Sequence, residues 1–149
     1  MELASKKALT LEAAKLIAAA AQAEANQNGW SMVICVVDDG GHLIYLERMD
    51  GAQLGSVQVA QDKARTAVLF KRPSKALEEA VLGGRTVMLK LAGATPVEGG
   101  IPIFVGSGPG SQLIGAIGVS GGTSSQDGQV AGAGAAALAE LLVISPTGT

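Results

Sequence analysis

The sequence predicts an α+β fold. It reads as a single compact domain with an antiparallel β-sheet of about four to five strands flanked by helices, in the order α-β-β-α-α-β-β-α. Three observations point there. Two pairs of β-branched, apolar runs are each joined by a glycine-bearing turn, as antiparallel hairpins are. The segments around them carry apolar residues at helical spacing. The 149 residues include 25 alanines and 21 glycines, small enough to let neighbouring elements approach backbone to backbone. Strict strand–helix alternation, the mark of a dinucleotide-binding fold, is absent.

The elements follow in order. Thr10 is a candidate N-cap for a helix over 11–27, with Ala13, Leu16, Ile17, Ala20 and Ala21 on one side. Asn28-Gly29 ends it. Residues 32–37 form an unbroken apolar run, expected as a strand covered on both faces. Asp38-Asp39-Gly40-Gly41 turns the chain into a second strand over 42–48, and Arg48-Met49-Asp50-Gly51 is the next turn. A helix over 56–70 presents Val57, Ala60, Ala64, Ala67 and Val68 to the core, leaving Gln61, Asp62, Lys63 and Arg65 for the surface. Pro73 stops it, and Ser74 is positioned to cap a short helix over 75–82 that Gly83-Gly84 closes. Residues 85–96 read as a helical turn and a loop.

Thirteen of the 21 glycines fall between Gly93 and Gly134. Strands over 101–105 and 113–120 flank the loop Gly106-Ser107-Gly108-Pro109-Gly110. Thr123-Ser124-Ser125-Gln126 is a capping box opening an Ala-rich helix to about residue 143, and 145–149 reads as a loose tail.

Composition excludes several function classes. Four aromatics, Trp30, Tyr45, Phe70 and Phe104, do not furnish a stacking platform for single-stranded nucleic acid. A net charge of −2 gives no electrostatic footprint for nucleic acid or an anionic membrane. Lys6, Lys7 and the apolar residues after them imitate a signal peptide. Glu12 and Lys15 interrupt the core, so an amphipathic helix of a cytoplasmic protein is expected. One cysteine, Cys35, permits no intrachain disulfide and reads as a buried hydrophobe. With a single histidine, His42, a four-ligand structural zinc site has no basis.

Several constellations carry possible chemistry. Gly118-Val119-Ser120-Gly121-Gly122 joins a strand to a helix start, but no Gly-Lys-Ser/Thr follows, and a tight corner is expected rather than a phosphate loop. Asp38, Asp39 and His42 are either hairpin-turn residues or an open, weak metal site. Arg48, Asp50, Lys63 and Arg65 are either a solvated surface or a binding set whose cations hold a ligand carboxylate. Glu98 stands just before the Gly99-Gly100 approach to a strand and is either a functional carboxylate or a loop residue, with Gly99, Gly100 and Pro102 as further ligand-binding candidates. Asp38, His42, Glu98 and Asp127 are the candidate acid–base residues.

The runs Val36-Val37-Asp38-Asp39-Gly40-Gly41-His42-Leu43, Arg48-Met49-Asp50-Gly51, Lys63-Ala64-Arg65-Thr66-Ala67, Glu98-Gly99-Gly100-Ile101-Pro102, Gly115-Ala116-Ile117-Gly118-Val119-Ser120-Gly121-Gly122 and Gln126-Asp127 occur in this order. Together they resemble the GlcG/HbpS-like haem-binding family, the PduO C-terminal-type domain, over about residues 8–143. The resemblance implies the same α+β fold and assembly into dimers or larger oligomers, up to octamers. It also implies haem as cofactor, with roles among members in haem degradation, iron handling or corrinoid metabolism. One departure stands out. Where a relative carries an axial histidine in its N-terminal helix, residues 11–27 here have none. The remaining candidates for an iron ligand are His42 first, then Cys35, Tyr45, Met32, Met49 and Met88. The loop 106–112 is longer than is typical of the family. Two functions are therefore expected to compete: a small oligomeric haem- or tetrapyrrole-binding protein, and a catabolic enzyme or accessory protein acting on a small organic acid.

Overall fold

The computed structural model describes residues 1–144, with side chains through residue 140. The expected tail over 145–149 lies outside the described residues. Helices α1 (Leu11–Asn28), α2 (Ser56–Phe70), α3 (Ser74–Leu82) and α4 (Ser124–Ile144) surround strands β1 (Val33–Asp38), β2 (Leu43–Arg48), β3 (Gly100–Val105) and β4 (Gln112–Ser120). Short 3₁₀ turns at Thr86–Lys90 and Gly108–Gly110 complete the chain. The four-stranded sheet has the order β2-β1-β4-β3 with every pair antiparallel. The predicted order and fold class hold.

The central strands are buried on both faces, as the apolar run over 32–37 predicts. Ile34 and Val36 point to one side, into a core with Ile117, Val119, Ile17, Ala21 and Val130 beneath α1 and α4. Val33, Cys35 and Val37 point to the other, where Ala60, Ala64 and Ala67 of α2 pack on them. Small residues set the spacing. A β-carbon at Gly118 would overlap the Ala60 carbonyl, so α2 lies directly on β4.

Local signals act as expected at most element ends. The Thr10 hydroxyl accepts from Ala13 N at 3.1 Å, and Gly29 closes α1 with φ of 71°. The capping box is complete: Gln126 N donates to the Thr123 hydroxyl and Thr123 N to Gln126 Oε1.

Two expectations are corrected. Ser74 does not cap α3. Its hydroxyl donates to the Val97 carbonyl at 2.6 Å and accepts from Gly100 N at 2.9 Å, tying the loop before β3 to the helix. Lys63 is not a surface residue. It is 1% exposed, because β3 and β4 close over the α2 face on which it lies and Asp127 reaches back to meet its charge.

Candidate functional site

The structure divides the predicted site residues among three places. The first is the β1–β2 turn. The Asp38 carboxylate accepts from Gly40 N and His42 N, both at 2.9 Å, and its Oδ1 lies 3.3 Å from His42 Nδ1. Burial opposes ionisation of Asp38, but the two backbone donors together with the His42 side chain outweigh it and hold the carboxyl below its usual range. The His42 side chain is 83% exposed. Asp39 turns away to pair with Lys6 at 2.7 Å. Arg65 is exposed and runs along Gly41. Among the described residues no group of three or more His, Cys, Asp or Glu side chains converges to hold a metal ion. Turn chemistry accounts for these residues.

The second place is a buried charge node between α2 and the corner leading into α4. Lys63 Nζ donates to Asp127 Oδ2 at 2.9 Å and to the Val119 carbonyl at 3.1 Å. Asp127 Oδ1 accepts from Gly122 N at 2.9 Å. Burial pushes the Asp127 carboxyl above its ordinary value, against the pull of Lys63 and the backbone donors. The surrounding glycines are there for closeness. Gly99 has φ of 134°, and a β-carbon on it would press on the Lys63 side chain and the Val119 carbonyl. One on Gly100 would overlap the Lys63 carbonyl, and one on Gly128 the Glu98 carboxylate. Lys63, Glu98, Gly99, Gly100 and Asp127 are thus brought together, while Pro102 sits farther along β3 opposite Ala116. In this node the Gly-Gly segments seal a buried ion pair against solvent.

The third place is an open cleft of about 500 Å³ between the end of α1 and the end of β2. Gln22, Asn26, Trp30, Glu47, Arg48 and Met49 line it, with Asp50 at the exposed edge. Arg48 makes no ion pair among the described residues. Burial raises the Glu47 carboxyl above its usual range. Arg48 and Asp50 were legible as candidates. Glu47, Trp30, Gln22 and Asn26 were not, because the cleft joins residues more than twenty positions apart across α1 and β2. Arg48 and His42 close opposite ends of β2, about 20 Å apart at strand rise.

The other possible iron ligands differ in access. Cys35 and Met32 are fully buried, and burial pushes the Cys35 thiol up to about 12. Met88 is nearly buried and Tyr45 packs against the α1–α4 core. Met49 lines the cleft.

Comparison with known proteins places this architecture. A family model described as Haem degrading protein HbpS-like matches residues 9–136. Protein GlcG of Escherichia coli K12 is 46% identical over 116 residues, covering 78% of this chain and 84% of that protein. The crystal structure of a Streptomyces reticuli HbpS double mutant superposes with a TM-score of 0.80 at 34% identity, covering 91% of this chain and 90% of that one. The crystal structure of a PduOC:haem complex superposes with a TM-score of 0.76 at 30% identity, covering 88% and 95%. On the matched length, the shared fold and this identity, the chain belongs to the HbpS-like family.

Proposed function

We propose that this chain is a small haem- or tetrapyrrole-binding protein serving haem sensing, storage or degradation. The observation that carries the reading is family membership together with a haem complex of the same fold. The cleft between α1 and β2 offers polar groups for the propionates, while its mostly polar lining supplies little of the apolar wall that a haem ring needs, so a second surface would have to complete it. Its volume of about 500 Å³ lies within the range of small-molecule sites. Met49 is the one lining side chain of the His, Cys, Met and Tyr types that ligate haem iron. Trp30 offers an aromatic face, and the unpaired Arg48 suits a propionate. Haem, when bound, supplies an iron that takes small ligands and exchanges electrons. The residues that would hold it are Met49, whose thioether could ligate iron, Trp30 beside the ring and Arg48 for a carboxylate, with Met49 and Trp30 also packed partly against the α1–α4 core. His42, the ligand favoured by sequence, would reach iron only where a second surface covers its exposed turn.

Haemin titration followed by the Soret band tests the reading. A saturable, stoichiometric band weakened in Met49→Leu assigns the cleft, and one weakened in His42→Ala assigns the turn. An unsaturable titration overturns haem binding.

Self-association to a dimer or larger oligomer, up to an octamer, belongs to the same reading. Leu82, Val87 and Leu89 are 80%, 65% and 59% exposed within one short stretch, an apolar surface suited to a second copy. Light scattering that reports a monomer at micromolar concentration would remove this claim. The enzymatic alternative on a small organic acid has less support. Its candidate acids and bases are dispersed, and Asp127 is already engaged by Lys63.

A further inference from the structure

We propose that the cleft between the end of α1 and the end of β2 recognises a small organic carboxylate with a flat, apolar body. This goes beyond the haem reading and does not require it. Arg48 is the one cation in the lining, and it makes no ion pair among the described residues. A guanidinium matches a carboxylate in a two-pronged geometry that few other side chains reproduce. The neighbouring Gln22, Asn26, Ser31 and Trp30 each carry a group able to donate, the amides and the hydroxyl being able to accept as well. Trp30 is half-buried against the α1–α4 core and lines the cleft, where it is the largest apolar surface for a ligand body.

Three charged residues line the cleft: Glu47, Arg48 and Asp50. Arg48 and Asp50 are both exposed, so solvent screens both charges, and the guanidinium acts through its paired hydrogen bonds more than through its charge. Glu47 is half-buried, and burial pushes its carboxyl above the usual range, which eases its repulsion of an anion on the acid side.

The protein carries its own reporter, since Trp30 is the one tryptophan and lines the site. Benzoate is the probe, and benzamide is its neutral counterpart of similar shape. Benzoate is expected to shift Trp30 fluorescence saturably, and benzamide is expected to bind at least about tenfold more weakly. Arg48→Met is expected to weaken benzoate by a similar factor, with Arg48→Lys intermediate. Glu47→Gln is expected to strengthen benzoate at neutral pH, since it removes a carboxylate beside the bound anion.

No saturable response, equal binding of benzamide, or unchanged affinity in a folded Arg48→Met overturns the proposal. If Arg48→Met fails to fold, the comparison of benzoate with benzamide on the unaltered chain still decides. Haemin titration is scored separately. A silent haemin titration with a positive benzoate titration removes the haem reading alone, and the opposite pair of results removes this proposal alone.

Discussion

Lys63→Met removes the ammonium at the centre of the buried node and keeps a long apolar stem. The Lys63 and Asp127 side chains are 2% and 4% exposed, so solvent cannot take over the lost interaction. Asp127 would keep its bond from Gly122 N but lose its counter-charge. Breaking a buried pair from one side costs about 3–5 kcal/mol, against a total of about 5–15 kcal/mol for an ordinary domain. For a chain of this size that corresponds to a fall in Tm of roughly 6–20 °C.

The loss has a defined pH dependence. Burial already raises the Asp127 carboxyl above its ordinary value of 3.8, and removing Lys63 raises it further. The folded variant then holds a proton that the unfolded chain has released. Stability therefore falls as pH rises from the ordinary carboxylate range to the raised folded value. The deficit is expected to be smallest near about pH 4 and complete by about pH 8. Urea unfolding at both pH values, followed by far-UV circular dichroism, measures it. A loss below about 1 kcal/mol at the higher pH, the scale of an exposed pair, would refute the reasoning. So would a deficit that does not grow with pH. The double variant Lys63→Met, Asp127→Leu is expected to regain much of the loss, since no charge is left buried alone.

Gly118→Ala is expected to destabilise by about 1–3 kcal/mol or more, because the added carbon meets the Ala60 carbonyl and not a yielding side chain. Urea midpoints check this. Cys35 is expected to resist thiol reagents in the folded protein at neutral pH and to react on unfolding, since it is fully buried and its thiol is pushed up to about 12. Asp38 contributes stability above the ordinary carboxyl value of 3.8, which is lost as pH falls toward its lowered folded value. Asp38→Asn is expected to remove that small acid-side dependence, seen as a flatter Tm profile below about pH 4.

The fold was legible because local signals agree with one another. Thr10, Gly29 and the Thr123–Gln126 box each mark an element end, and the unbroken run over 32–37 marks a strand covered on both faces. The site was legible only in pieces. Lys63 falls among polar neighbours on α2, so helical periodicity assigns it to the surface. Its burial depends on Asp127, which follows 64 residues later, and on Gly99 and Gly100 allowing β3 to close over it. Glu98, Gly99, Gly100 and Asp127, named separately as candidates, cluster in the structure around a buried ion pair. Ser74 has the right chemistry for a cap and spends its hydroxyl on Val97 and Gly100 instead. The cleft has no sequence signature because Gln22, Asn26 and Trp30 carry no motif, and only the antiparallel return of β2 sets Glu47, Arg48 and Met49 beside them.

Haem binding is the central functional claim, and haemin titration of the full chain tests it most directly. The expected result is a Soret band that saturates at a fixed stoichiometry and weakens in Met49→Leu or His42→Ala, with each variant still folded. A titration that never saturates, or a band unchanged in both variants, would contradict it.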